Sequence, residues 1–225
     1  MVTIEAGFVK NRIIIIALLI LLPVSLCSKK KYPQEDRQAW FGAEIDCEIA
    51  KDFELSISEE LRYYKNRSVL AQSLTNFGAS YKATGWFRPG LFIRYRIMPD
   101  EEEQRWELYT NFTFKFDLWG IDFSDRVRLH FKFREDRESI NNLRNKLTAG
   151  YYVWDWLEPY AAAELFYRFF YEGGDRLAQG RYYTGAKIKL DKNNEIDLFF
   201  MREQEYNTDK AIHSNVIGVE YSLQL

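Results

Sequence analysis

The sequence predicts an all-β chain, an antiparallel transmembrane β-barrel of 10–12 strands with short periplasmic turns and longer extracellular loops. Three observations lead there. Apolar and polar residues alternate with a period of two over most of the chain, the connections alternate between short and long, and the chain opens on an export-type leader. Aromatic residues make up 17% of the 225 residues, with 15 Tyr, 17 Phe and 6 Trp, yet 28% are charged. That mixture does not suit membrane helices, which need apolar runs of about 20 residues. It suits strands with one apolar and one charged face.

In the leader, Lys10 and Arg12 precede an apolar run from Ile13 to Leu22, followed by Pro23 and Ser25-Leu26-Cys27. A basic flank, an apolar core and small residues before the cut define a secretory signal. Cleavage is expected after Cys27. This divides the chain into a signal peptide (1–27), a short periplasmic segment (28–37) and the barrel (38–225). The alternatives are a single membrane anchor, for which the run is short, and a lipoprotein acylated at Cys27, for which Leu26 is bulky. After cleavage Cys47 is the one cysteine left, which leaves no internal disulfide or cysteine metal cluster.

Strands are predicted near 38–49, 53–64, 69–83, 87–98, 105–118, 121–133, 146–154, 157–169, 180–190, 195–203 and 212–225. The clearest alternation runs from Trp106 to Leu118, where Leu108, Phe112, Phe114 and Phe116 share one face and Glu107, Asn111, Lys115 and Asp117 the other. Phe123, Val127, Leu129 and Phe131 repeat it against Arg126, Arg128, His130 and Lys132, and Trp119-Gly120 between the two stretches reads as a tight hairpin. Short connections also fall at Ala50-Lys51-Asp52, Thr84-Gly85, Asp155-Trp156 and 191–194. Long charged ones fall at 99–104, 134–145, 170–179 and 204–211. Trp40, Trp86, Trp119, Trp154 and Trp156 lie at a strand start or at short turns, as interfacial indoles do. Eleven segments conflict with the even number of a bacterial barrel. Either one further span is missed, or one segment falls short of a full crossing, with 38–49 the one expected to do so. A soluble lipocalin-like barrel or β-sandwich, its apolar face turned inward, is the alternative architecture.

The charged face carries both signs, so cross-strand Arg–Glu pairs are expected to fill a narrow lumen. The candidate network is Glu60, Arg62, Arg94, Arg96, Arg126, Arg128, Glu158, Glu164, Arg168 and Arg181. A selective pore or ligand site along the Arg-rich strands is the functional alternative. A catalytic site is not expected, because His213 and Ser214 are adjacent and would point to opposite faces of a strand. Two histidines are few for a transition-metal site. Gly173-Gly174 reads as a turn, and Asp100-Glu101-Glu102-Glu103 as a solvated loop tip with Ca²⁺ as its alternative ligand. No cofactor is expected. The net charge of −2 gives no sign of a nucleic-acid partner.

Several short segments also resemble a known family. They are Trp40, Glu60-Leu61-Arg62, Arg126-Val127-Arg128, Glu158-Pro159-Tyr160, Glu164-Leu165-Phe166 and Arg181-Tyr182-Tyr183-Thr184-Gly185. In their order and spacing the chain resembles the outer-membrane barrel family called domain of unknown function 2490. The resemblance implies an antiparallel barrel in a Gram-negative outer membrane and no particular activity. It also implies that the inward Arg and Glu positions, rather than the histidines, are the family's fixed points. The expectation is a non-enzymatic outer-membrane barrel acting as a narrow channel, a structural protein or a surface-interaction protein. Its partners would be outer-membrane lipid and the barrel-assembly machinery. A lipid-modifying barrel enzyme and a soluble periplasmic ligand-binding barrel are the alternatives.

Overall fold

The computed structural model describes residues 35–132, 140–170, 173–208 and 212–225. The expected signal peptide, most of the segment 28–37 and parts of three long connections lie outside the described residues. Eleven strands among the described residues close into one barrel: β1 (Glu35–Ala50), β2 (Phe53–Tyr64), β3 (Val69–Tyr81), β4 (Phe87–Met98), β5 (Glu103–Leu118), β6 (Ile121–Lys132), β7 (Ile140–Gly150), β8 (Leu157–Phe169), β9 (Arg176–Lys189), β10 (Asn194–Glu205) and β11 (His213–Gln224). Neighbours in sequence pair antiparallel. The turn at Trp119-Gly120 has positive φ at both residues (56° and 75°), which suits the twist of a two-residue hairpin.

The odd count is resolved at the seam, where β1 pairs with β11 in parallel from Glu35↔His213 to Asp46↔Gln224. The expectation that 38–49 falls short of a crossing is therefore corrected. β1 spans 16 residues, and Glu35, Asp36 and Arg37 belong to it rather than to a segment ahead of the barrel. An odd strand number puts the two ends of the sheet at opposite rims. Glu35 begins at the rim of the long connections, and Leu225 ends at the short-turn rim, where its N–H donates to the Asp46 carbonyl at 2.8 Å. β7 differs most from its expected position. It begins at Ile140 rather than 146, a start that alternation does not reveal because Asn141 and Asn145 stand where an alternating strand would show apolar residues.

Strand pleat sends alternate side chains to opposite faces, and the outer one is apolar. Ile45, Ile57, Phe77, Ile93 and Leu108 face each other across successive strands on the outside, and the first four are 41–48% exposed. Phe112, Phe114, Leu129 and Phe131 also face outward, opposite in phase to Arg126 and Arg128. Trp86, Trp119, Trp154 and Trp156 sit exposed at the short-turn rim. Trp40 does not join them: it is 4% exposed and points into the lumen. The lumen is not wholly ionic either. Trp40, Tyr160, Tyr183, Phe199, Met201 and Val216 form an apolar cluster inside it, on the side built by β8 to β11 and β1.

Candidate functional site: the charged lumen

Two carboxylates organise the lumen. Glu107 on β5 accepts Arg96 Nε at 2.8 Å and Nη2 at 3.0 Å, Arg105 Nε at 3.0 Å, and shares a 2.9 Å hydrogen bond with His130 Nε2. Arg94 Nη1 stands 3.9 Å away. Glu164 on β8 accepts Arg144 Nη2 at 2.8 Å and Nε at 3.1 Å, Arg126 Nη2 at 3.4 Å and the Tyr183 hydroxyl at 3.3 Å, with Arg181 Nη1 at 3.9 Å. Each of these carboxylates is 1% exposed. A buried ion is tolerable only when surrounded by opposite charge and hydrogen bonds, and both glutamates meet that condition. Arg181 also donates to Glu203 at 2.7 Å, and Arg62 donates to Glu60.

The guanidinium groups stack on rings as well as pairing. Arg62 and Arg181 lie 3.8 and 5.0 Å from the centre of the Trp40 ring. Arg181 and Arg144 lie 4.7 and 4.4 Å from the Phe166 ring. Arg128 and Arg94 lie 4.0 and 5.2 Å from Tyr109. Planar, weakly hydrated guanidinium suits this dual role, which ammonium serves less well. The Trp40 Nε1 donates to Gln38 Oε1 at 3.1 Å, and Gln38 Nε2 donates to Ser214 Oγ at 3.0 Å across the parallel seam.

Large rings fit where the facing residue is glycine. A Cβ on Gly218 would stand 2.0 Å from Phe199, and one on Gly78 2.0 Å from Phe92. The stacked side chains divide the lumen. A central chamber of about 230 Å³ and a chamber of about 200 Å³ nearer the long-connection rim are separated by a layer that both share: Arg62, Arg94, Arg144 and Arg181. A wider vestibule of about 900 Å³ opens at the short-turn rim.

Of the ten candidate residues, the structure brings Glu60, Arg62, Arg94, Arg126, Arg128, Glu164 and Arg181 to the central chamber, and Arg96 lines the outer chamber, where it holds Glu107. Arg168 lines the outer chamber. Glu158 is set apart, packed over Gly150 in the short-turn half beside Lys187, with no ion pair within 4 Å among the described residues. Alternation already placed Glu107 on the inner face but did not mark it as a centre, since its role depends on four partners from three strands. Arg144 lies ahead of the expected strand start at 146, because β7 begins at Ile140, and Lys146, the first residue of the expected strand, is not among the candidates the sequence marks. His130 has Glu107 as its partner, and Ser214 is taken by Gln38. In the acidic run, Asp100 pairs with Lys65 at 2.6 Å and Glu103 with Arg105 at 3.0 Å.

Fold and site together define a closed eleven-strand β-barrel with an apolar outer wall and an ion-packed lumen. The chain belongs to the family described as protein of unknown function (DUF2490), which it matches over residues 37–213. Among the residues that carry the sequence resemblance, Trp40, Glu60, Arg62, Arg126, Arg128, Glu164 and Arg181 come from five strands and line the central chamber, whereas Glu158 does not. A search of curated proteins finds no match.

Proposed function

We propose that the protein is an outer-membrane β-barrel, exported by the leader at 1–27, whose lumen is a structural charge network rather than an open pore or an active site. One observation carries this reading: the barrel is inside out relative to a water-soluble one. Half-exposed Ile, Phe and Leu cover the outer wall, while Glu107 and Glu164 are buried within. Soluble monomers rarely expose apolar patches beyond a few hundred Å². In lipid, a closed sheet leaves no unpaired edge, and each orphan backbone group would cost several kcal/mol there. The exposed tryptophans of the short-turn rim suit a membrane–water interface.

Four arginines between the inner chambers, each stacked or ion-paired, favour a closed lumen over a channel. The bonds that hold His130 and Ser214 favour a structural role over acyl transfer. With short turns in the periplasm, Leu225 ends there and β1 begins at the outer rim. That start is opposite to the periplasmic one expected for 28–37, and the two fit one barrel only if the long connections face the periplasm.

Fractionation with heat-modifiable gel migration tests the placement. Membrane-bound protein that runs faster unheated than boiled is expected, and a soluble periplasmic product would overturn the reading. In planar bilayers no steady conductance is expected. Replacing His130 and His213 by Ala should leave lipid A and phospholipid profiles unchanged, and an altered profile would restore the enzyme alternative. A Glu35→Cys variant that also carries Cys47→Ser, labelled in whole cells by a membrane-impermeant maleimide, would fix the sidedness.

A further inference from the structure

The central chamber has two walls of opposite charge, each carrying groups that make no ion pair among the described residues. On β6 and β7 stand Arg126, Arg128, Arg144 and Lys146, and Glu164 is the single carboxylate within 4 Å of any of them among the described residues. Arg128 is 7% exposed, its Nε donates to the neutral Asn111 Oδ1 at 2.7 Å, and its face lies over Tyr109. Its two Nη groups form no hydrogen bond among the described residues. On the far side of the ring stand Glu44 on β1 and Glu220 on β11, which have no hydrogen bond or ion pair from their side chains among the described residues, together with Asp197 on β10, held by the Tyr160 hydroxyl at 3.0 Å. In a ring of eleven strands, the β1–β11 seam lies opposite β6 and β7. Glu220 lies across Gly42, which has no side chain to block it.

We infer that the central chamber binds a small zwitterion, its carboxylate held by Arg128 and Lys146 and its ammonium by Glu220 and Glu44. A free guanidinium fork matches a carboxylate bidentately. A simple anion attracted to β6 and β7 would face the carboxylates of the seam, and a simple cation would meet the reverse. A molecule carrying both charges satisfies the two walls at once. The volume of about 230 Å³ holds roughly eight waters at about 30 Å³ each, which is the scale of an amino acid rather than a sugar chain or lipid. The short-turn vestibule adjoins the central chamber at Ser222, which lines both.

The test is titration calorimetry on the mature chain, folded in detergent, with glycine, β-alanine and 4-aminobutanoate, and with propionate and propylammonium as single-charge probes. At least one amino acid should bind saturably and about tenfold or more tighter than either single-charge probe. Arg128→Gln and Glu220→Gln should each weaken it about tenfold, while Glu158→Gln, outside the chamber, should not. Each variant must keep its heat-modifiable migration. Where Arg128→Gln does not fold, Arg128→Lys, which keeps the charge and loses the fork, should show the same loss. Propionate binding as tightly as the amino acids, no saturable heat from any probe, or unchanged affinity in the folded variants would overturn the inference. Membrane placement is read separately from migration, so the two readings fail independently.

Discussion

The guanidinium of Arg62 lies 3.8 Å from the centre of the Trp40 ring, joining the first two strands inside the lumen, and Arg181 approaches the same ring from β9. Trp40 is thus a platform on which charges from distant strands rest. Removing it should destabilise the barrel strongly: Trp40→Ala is expected to cost about 3–5 kcal/mol, as for other buried tryptophans. Trp40→Phe keeps a ring under the arginines and loses the hydrogen bond to Gln38, so its cost should be nearer 1 kcal/mol. Urea unfolding from lipid vesicles reads both. Equal costs would show that the ring is not what matters.

Glu164 holds Arg144 at 2.8 Å, with Arg126 and Arg181 at 3.4 and 3.9 Å. Glu164→Gln leaves the buried Arg144 with no carboxylate partner, while Arg181 keeps Glu203, and should cost about 3–5 kcal/mol, because an uncompensated buried charge is worse than no charge. Arg144→Met made alone should cost less, since Glu164 keeps two other arginines. In the double variant the two losses should not add, and a double-mutant cycle in urea gives the coupling. Additive losses would mean that the pair does not interact.

Much of this was legible in the sequence, and the limits have physical causes. Side-chain alternation is local, so the hairpins and the outward face of Phe112 and Leu129 could be read from 105–133 alone. The parallel seam could not, because nothing within β1 or β11 records which edge it meets. Trp40 opens a strand, where an indole commonly marks an interface, and only the register β1↔β2 turns it to face Arg62. The same holds for Glu107. Its inward direction follows from period two, but its centrality depends on Arg96, Arg105 and His130 converging on it. β7 was displaced because Asn141 and Asn145 stand at outward positions, which blurs the alternation.

Phe199 occupies the space over Gly218, where a Cβ would come within 2.0 Å of the ring. Gly218→Ala should therefore cost about 1–3 kcal/mol through overpacking, and Phe199→Leu in the same chain should recover part of it. Gly85 is the control: nothing stands within 4 Å of its Cβ position, so Gly85→Ala should stay within about 0.5 kcal/mol. Thermal unfolding of the three variants makes the comparison.

In the β9–β10 turn, the Asn194 side chain and the backbone N–H groups of Asn193 and Asn194 donate to the Asp191 carboxylate, holding its pKa below the usual aspartate value. A depressed carboxyl stabilises the turn above its unfolded pKa, near 3.9, and that contribution is lost as pH falls through the folded value. Amide exchange at Asn193 and Asn194, corrected for intrinsic rates, should accelerate as pH falls below about 4, and Asp191→Asn should remove that pH dependence. A pH-independent protection factor in the native chain would show that the carboxylate does not hold the turn.

Ile57 faces outward midway along β2, paired across the sheet with Ile45 and Phe77, whereas Leu118 faces outward beside the Trp119-Gly120 turn. Both are exposed to similar degrees, 45% and 43%, so in water an arginine at either position should cost about the same. In a bilayer the cost depends on depth: about 2–4 kcal/mol at the midplane and about 0–1 near the interface. Ile57→Arg should therefore destabilise the barrel in lipid vesicles by about 1–4 kcal/mol more than Leu118→Arg. Urea titration of the two variants in vesicles decides it. Equal costs would mean that hydrocarbon does not surround this wall, and the barrel's outward apolar face would then need another cover.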